Sequence, residues 1–193
     1  MTGALVAVVG PSGSGKDAVI DCARAHFEDD ARLVFPQRVI TRPAGAGEDH
    51  IPVSEAEFAG LEDAGDFAVH WDAHGLRYGV PRHVADAVEQ GCVAVVNVSR
   101  AAMAGLDATF SNVHVVRVTV AEEVRRARIL SRGRETSDDA LARLNRPDPA
   151  PGHPVALEIV NDRALTDAGD ALVAFLEEVV VASGRRRGLR VWA

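Results

Sequence analysis

Two cysteines in 193 residues are too few to staple a fold. Cys22 and Cys92 stand far apart, in apolar surroundings and without metal-ligand spacing, so the expectation is two buried free thiols. Long apolar runs are missing too. Leu5–Val9, near the start, is too short to span a bilayer or to act as a secretion signal, and it runs straight into a glycine-rich turn. An excess of positive charge is also missing. The formal net charge is −7, which argues against a nucleic-acid partner, since that would want a broad basic surface. No membrane partner is expected either, and these absences together fit the cytoplasm. What remains is hydrophobic content of 47%, enough for a real core, in a length that suits one compact α/β domain with insertions.

The most informative stretch follows the first apolar run. Ala4–Val9 has the β-branched character of a buried strand. Gly10-Pro11-Ser12-Gly13-Ser14-Gly15-Lys16 then matches G-x-x-x-x-G-K, the loop that cradles nucleotide phosphates. The glycines let the backbone turn tightly and bring N–H groups to phosphate oxygens. The helix expected next offers unpaired donors and a favourable dipole to the same anion. Lys16 adds a mobile positive charge for the outer phosphates. Asp17 departs from the motif, which normally places a Ser or Thr hydroxyl on magnesium. A carboxylate is also a hard oxygen ligand, so Asp17 is a candidate Mg²⁺ ligand, directly or through water. Its negative charge near the phosphates leaves a second role open, that of tuning which anion is accepted.

Strand-like and helix-like segments alternate, which predicts a parallel sheet with crossover helices. Strands are expected at 4–9, 34–40, 93–98, 113–120 and 157–160. Helices are expected at 15–26, 81–90, 121–130 and 166–182. The alternation breaks over 37–81, where a polar glycine-rich loop, a short helix at 55–64 and two short strands at 67–71 and 76–80 read as an inserted lobe. A second excursion, 131–154, holds Arg132-Gly133-Arg134, a helix expected at 139–146 and a proline-rich run from Pro147 to Pro154 that cannot continue it. The expected division is a core of 1–36, 82–130 and 155–193, a lobe of 37–81 and a lid of 131–154. The tail from Ser183, rich in arginine, reads as a solvated end. Oligomeric state is not readable, and a homodimer is compatible with the sequence.

The arginines narrow the chemistry. Phosphoryl transfer needs charge stabilisation on equatorial oxygens and alignment of two substrates. Arg128, Arg132, Arg134 and Arg143 sit on and around the second excursion, as a closing lid requires, and of these Arg132, Arg134 and Arg143 are the functional candidates, since guanidinium forks suit phosphates. Arg125 and Arg126 read instead as part of a solvated helical face. In the inserted lobe, Arg38, Arg42, His50 and Tyr78 form a candidate second anion site. His70 and His74 are four apart on a segment that does not read as a helix, so a metal pair is not expected there.

These motifs, in this order, resemble the guanylate kinase-like family of P-loop kinases over nearly the whole chain. The set comprises residues 10–16, Thr41-Arg42-Pro43 with Gly47-Glu48, Trp71 with Gly75 and Tyr78-Gly79, Arg132-Gly133-Arg134 with Ala142-Arg143-Leu144, and Val160-Asn161-Asp162. The resemblance implies a P-loop NTPase fold: a parallel five-stranded sheet flanked by helices, with an acceptor-binding lobe and an arginine-bearing lid. It implies ATP and Mg²⁺. It places Arg42, His50 and Tyr78 on the acceptor phosphate, Arg134 and Arg143 on the transferring phosphates, Arg132 with the ATP-binding residues, and Asn161 near the ATP adenosine.

The base-reading positions differ from those of a guanylate kinase. That family has a carboxylate where His70 stands, Ser or Thr where Val80 stands and an acid where Ser99 stands. A guanine needs those acceptors, and a site without them loses discrimination. Gly15-Lys16-Asp17, Arg38-Val39-Ile40-Thr41-Arg42-Pro43, Gly47-Glu48-Asp49-His50 and the run His70 to Gly79 resemble the ribose 1,5-bisphosphate phosphokinase branch. That branch implies conversion of ribose 1,5-bisphosphate and ATP to 5-phosphoribosyl 1-diphosphate in phosphonate breakdown. A neutral Ser99 removes repulsion against an added anion, while His70, His74 and Asn97 are candidates for sugar hydroxyls or phosphate oxygens. Two alternatives stay open on sequence alone: a nucleoside monophosphate kinase, and a silent guanylate-kinase-like module that binds phosphopeptides.

Overall fold

The computed structural model describes residues 3–44, 49–131 and 153–185. Its backbone is a five-stranded parallel sheet with a smaller four-stranded sheet beside it. The large sheet has the order β2 (Leu33–Val34), β7 (Val93–Asn97), β1 (Ala4–Val9), β8 (Val113–Thr119), β9 (Val155–Val160). Every pairing in it is parallel. The central strand β1 is buried along its whole length. Its alternate residues serve opposite faces. Ala4, Val6 and Val8 pack against α1 (Lys16–His26) and α6 (Leu165–Arg185), with Val19, Ile20, Leu172 and Leu176. Leu5, Ala7 and Val9 pack on the other face with Val84 and Val88 of α3 (His83–Glu89) and Leu106 of α4 (Met103–Thr109). Full burial of each Val or Leu contributes about 1.5–3 kcal/mol, so β1 anchors both layers. A near-continuous apolar run is what a strand covered on both faces requires.

The smaller sheet has the order β4 (His50–Pro52), β3 (Arg38–Ile40), β6 (Leu76–Pro81), β5 (Phe67–Ala73). The helix α2 (Glu55–Asp63) lies between β4 and β5 in the chain and starts with a capping box: the Ser54 hydroxyl accepts from Glu57 N–H, and the Glu57 side chain accepts from Ser54 N–H. A helix α5 (Glu122–Ser131) follows β8. Among the described residues, no helix is long and apolar enough to cross a membrane.

Several expectations need correction. The strand expected over 34–40 is two strands in two sheets, β2 and β3, separated around Pro36, which has no N–H to give to a ladder. The stretch holding His50 is not all loop: His50–Pro52 pairs in parallel with β3. Pro81 ends β6 rather than opening a helix. A helix not foreseen, α4, follows a short 3-10 turn at Arg100–Ala102. The strand expected to begin at Leu157 begins at Val155. Cys22 and Cys92 are free thiols as expected, but each is half-buried rather than fully buried. The helix expected at 139–146 and the arginine-rich tail beyond Arg185 lie outside the described residues.

Two helical glycines differ in what surrounds them. A Cβ on Gly169 in α6 would sit 2.7 Å from Cys22 Cβ in α1, so glycine there permits close approach of two helices. A Cβ on Gly60 in α2 would meet nothing within 4 Å. In urea unfolding, Gly169→Leu is expected to lose about 1–3 kcal/mol from overpacking, while Gly60→Ala gains up to about 1 kcal/mol from helix propensity. Equal effects at the two positions would contradict the packing assigned to α1 and α6.

Candidate active site

The carboxyl ends of the parallel strands bring the site together. β1 runs into the loop 10–15, β7 into Val98 and Ser99, and β9 into Asn161. Ligands of open parallel sheets bind outside these strand ends. Here a cleft of about 360 Å³ lies between the loop and the smaller sheet.

One wall is the loop. Gly10, Ser12, Gly13, Gly15, Lys16 and Asp17 line the cleft. Gly15 precedes α1 with φ 88°, ψ 20°, and a Cβ there would lie 2.4 Å from Asn161 Nδ2. Gly10 has φ 145°, and its Cβ would meet the Val118 carbonyl oxygen at 2.1 Å. Only glycine fits both the conformation and the contact. Lys16, the single lysine of the chain, donates from Nζ to the carbonyls of Gly10 at 2.7 Å and Pro11 at 3.0 Å. Pro11 and Ser14 belong to the loop without lining the cleft, and Ser14 is fully buried.

The opposite wall comes from the smaller sheet and the end of β7. Arg38, Arg42, His74 and Tyr78 line it, with Asn97 and Ser99 at the base. Tyr78 and Trp71 are cross-strand partners on one face of the β5–β6 hairpin, and their rings stack at 5.4 Å with planes 7° apart. His74 and Gly75 form the hairpin tip at φ 58° and 73°, the paired left-handed conformation of a tight two-residue hairpin turn. Trp71 Nε1 and Ser99 Oγ are buried in this wall with no hydrogen-bond partner among the described residues. A ligand oxygen or water would satisfy both, and leaving either unpaired costs about 1–3 kcal/mol.

Three of the expected site residues do not line the cleft. His50 is buried, and its Nε2 lies 3.1 Å from the Arg42 carbonyl. A carbonyl only accepts, so Nε2 carries the proton and the ring braces the Arg42 backbone from outside the cleft. His70 falls on the other face of β5, because side chains alternate along a strand. There its Nδ1 is 3.4 Å from Glu62, which also accepts from Arg77 at 2.6 Å. That bond from Arg77 holds the Glu62 carboxyl below its ordinary pKa, so the pairing adds stability above the ordinary carboxylate range and loses it as pH falls through the lowered value. Asn161 is buried beneath the loop and donates from Nδ2 to the Ser14 carbonyl at 2.8 Å. Arg132, Arg134 and Arg143 lie outside the described residues.

Two loop supports lie on α5, of which Arg125 was expected on a solvated face and Arg128 beside the second excursion. Arg125 does not face solvent as expected: its Nε donates to the Ser12 carbonyl at 3.0 Å. Arg128 reaches the Ser14 carbonyl at 3.5 Å. No sequence signal pointed to these contacts, because the partners are backbone oxygens more than a hundred residues away. Arg125→Ala is expected to weaken ATP binding by about tenfold in calorimetric titration, the worth of one charge-assisted hydrogen bond. Unchanged affinity would contradict a role in holding the loop.

Comparison with known proteins identifies the family and the fold. No family model matches the sequence. The chain is 52% identical to ribose 1,5-bisphosphate phosphokinase PhnN of Pseudofrankia inefficax, over 89% of this chain and 89% of that one. It is 44% identical to the protein of the same name from Rhizobium etli, over 91% and 90%. It also matches a bifunctional ribose 1,5-bisphosphokinase-thymidine phosphorylase of Cupriavidus necator, 46% identical over 88% of this chain and 28% of that protein. Among solved structures, guanylate kinase from Anaplasma phagocytophilum superposes with a TM-score of 0.66 at 21% identity, covering 92% of this chain and 86% of that one, and so shares the fold. With its phosphate loop, parallel sheet and second sheet so arranged, the chain belongs to the ribose 1,5-bisphosphate phosphokinase family on a guanylate kinase-like fold.

Proposed function

We propose that this protein transfers the γ-phosphoryl group of ATP to the 1-phosphate of ribose 1,5-bisphosphate, giving 5-phosphoribosyl 1-diphosphate and ADP. The observation that carries the reading is one cleft lined on one side by a phosphate loop and on the other by Arg38, Arg42 and Tyr78. Two anions bound on the facing walls of one cleft of about 360 Å³ would be neighbours, as transfer between them requires. The base-reading positions support a sugar rather than a nucleotide. His70 turns away from the cleft, Val80 is fully buried, and Ser99 brings a neutral hydroxyl where an acid would repel a second phosphate.

In this reading the loop and Lys16 hold the β- and γ-phosphates. Arg42, Arg38 and Tyr78 hold the 1-phosphate, and His74, Asn97 and Ser99 meet the rest of the sugar bisphosphate. His50 contributes by bracing Arg42. An oxygen of the 1-phosphate attacks the γ-phosphorus, the bond to the β-phosphate oxygen breaks, and ADP leaves. The attacking oxygen is ionised at neutral pH, so no general base is required. Alignment and charge neutralisation carry the acceleration. Asp17 suits Mg²⁺: its carboxylate is a hard oxygen donor, half-exposed, beside Lys16 in the cleft wall. Magnesium, when bound, supplies charge neutralisation on the phosphates. We assign Arg132, Arg134 and Arg143 to a lid over 131–154 that neutralises the transferring group, and the second sheet to an acceptor-binding lobe. The reaction belongs in the cytoplasm and, by family, in phosphonate breakdown.

The deciding experiment is an acceptor screen across ribose 1,5-bisphosphate, GMP, dGMP and AMP, with the product identified by mass. Ribose 1,5-bisphosphate is expected to give ADP and 5-phosphoribosyl 1-diphosphate at the highest kcat/KM. Preference for GMP would overturn the substrate and keep the reaction class. Lys16→Ala is expected to lower kcat by about 10²–10³-fold, the worth of one pre-organised charge in a transfer site, and near-normal turnover would overturn the proposed role.

A further inference from the structure

Asp17 is where this phosphate loop departs from its motif, and its contacts run towards the acceptor rather than along the loop. Its Oδ1 accepts from Asn97 Nδ2 at 2.5 Å and lies 3.9 Å from Arg38 Nη2. Asn97 ends β7, and Arg38 begins β3 in the other sheet. All three residues line the cleft. The carboxylate thus ties the start of α1 to the wall assigned above to the acceptor. A serine or threonine is too short to hold both partners in this way.

The hydrogen bond also has a polarity. An ionised carboxylate only accepts, whereas an Asn amide has one accepting end and one donating end. Facing Asp17, Asn97 must present its NH₂. Its carbonyl oxygen then faces away from Asp17, and among the described residues no protein group donates to it. Phosphate oxygens at neutral pH are acceptors, so they are poor partners for that carbonyl. They match the guanidinium groups of Arg38 and Arg42. A sugar hydroxyl is a donor and matches it.

We propose that Asp17 is a positioning residue that fixes the orientation of the Asn97 amide, and thereby makes Asn97 the group that reads a hydroxyl of the acceptor. This rests on the sugar-bisphosphate reading above and goes further by naming what discriminates. With serine at position 17, the shorter hydroxyl both donates and accepts, so the amide is free to turn and the preference for a hydroxyl is lost. Asp17 would then serve the acceptor through one oxygen in addition to any service to the metal.

The test is calorimetric binding without nucleotide or Mg²⁺, using ribose 1,5-bisphosphate and its 2-deoxy and 3-deoxy analogues. The unaltered protein is expected to bind one deoxy analogue at least about tenfold more weakly than the parent compound, the worth of one buried hydrogen bond left unmade. Asp17→Ser, and separately Asn97→Ala, are expected to bring that ratio to within about twofold. In the double variant the two effects do not add. The circular dichroism spectrum and melting temperature of Asp17→Ser report that it is folded, and Asp17→Asn, whose amide accepts either orientation of Asn97, is expected to lose the ratio too. Equal binding of all three compounds by the unaltered protein overturns the inference and leaves the proposed substrate standing. So does a full ratio retained in Asp17→Ser. Failure of the unaltered protein to bind ribose 1,5-bisphosphate at all overturns both.

Discussion

The phosphate loop works only if its carbonyls are held on one side. A trans peptide unit is planar, and its C=O and N–H point in opposite directions. There are no cis peptide bonds among the described residues. When Arg125 takes the Ser12 carbonyl and Asn161 takes the Ser14 carbonyl, the next amides, on Gly13 and Gly15, are turned the other way. The direction of these loop amides is therefore set by side chains that hold the carbonyls behind them. The glycines follow from the same constraint, since a Cβ on Gly15 would collide with the Asn161 amide that does the holding. The supports come from α5 and from the end of β9, whereas the opposite wall of the cleft comes from the smaller sheet and the end of β7.

The second wall is arranged by a different rule. Strand alternation in the β5–β6 hairpin puts Trp71 and Tyr78 towards the cleft, and His70 and Arg77 towards α2. The outward face is held by the contact of Arg77 with Glu62 and by its guanidinium 4.5 Å from the Phe58 ring centroid. This packing sets the pitch of the hairpin and so the position of Tyr78. Asp17 joins the two walls through Asn97 and Arg38. In the proposed reading, the two walls are two phosphate-binding surfaces at a fixed separation, which is most of what transfer between two phosphates demands.

Much of this could be read from the sequence, for physical reasons that differ by element. β1 and β7 were readable because strands buried on both faces are near-continuous apolar runs, and β8 because its valines are β-branched and dominate the segment. The loop was readable because glycines and a lysine at that spacing, between a strand and a helix, suit little besides a phosphate. Arg38, Arg42 and Tyr78 were found from residue chemistry and motif order, and the cleft gathers them. What could not be read depended on direction and distance. His70 was assigned to the acceptor because its residue type suits the task, but one step along a strand reverses a side chain. Arg125 looked like part of a solvated face because its partner is a backbone oxygen brought close only by folding. The break at Pro36 separated two strands that periodicity alone had joined. The contact between Asp17 and Asn97 spans 80 positions and had no local signature.

The claim that one cleft holds both phosphates is tested most directly by a crystal structure with a non-hydrolysable ATP analogue, Mg²⁺ and ribose 1,5-bisphosphate. The expected result is the triphosphate on the loop at Lys16, and the 1-phosphate at Arg42 and Tyr78 with one oxygen in line with the γ-phosphorus. A sugar bisphosphate bound away from Arg42 and Tyr78, or a nucleotide base in its place, would contradict it.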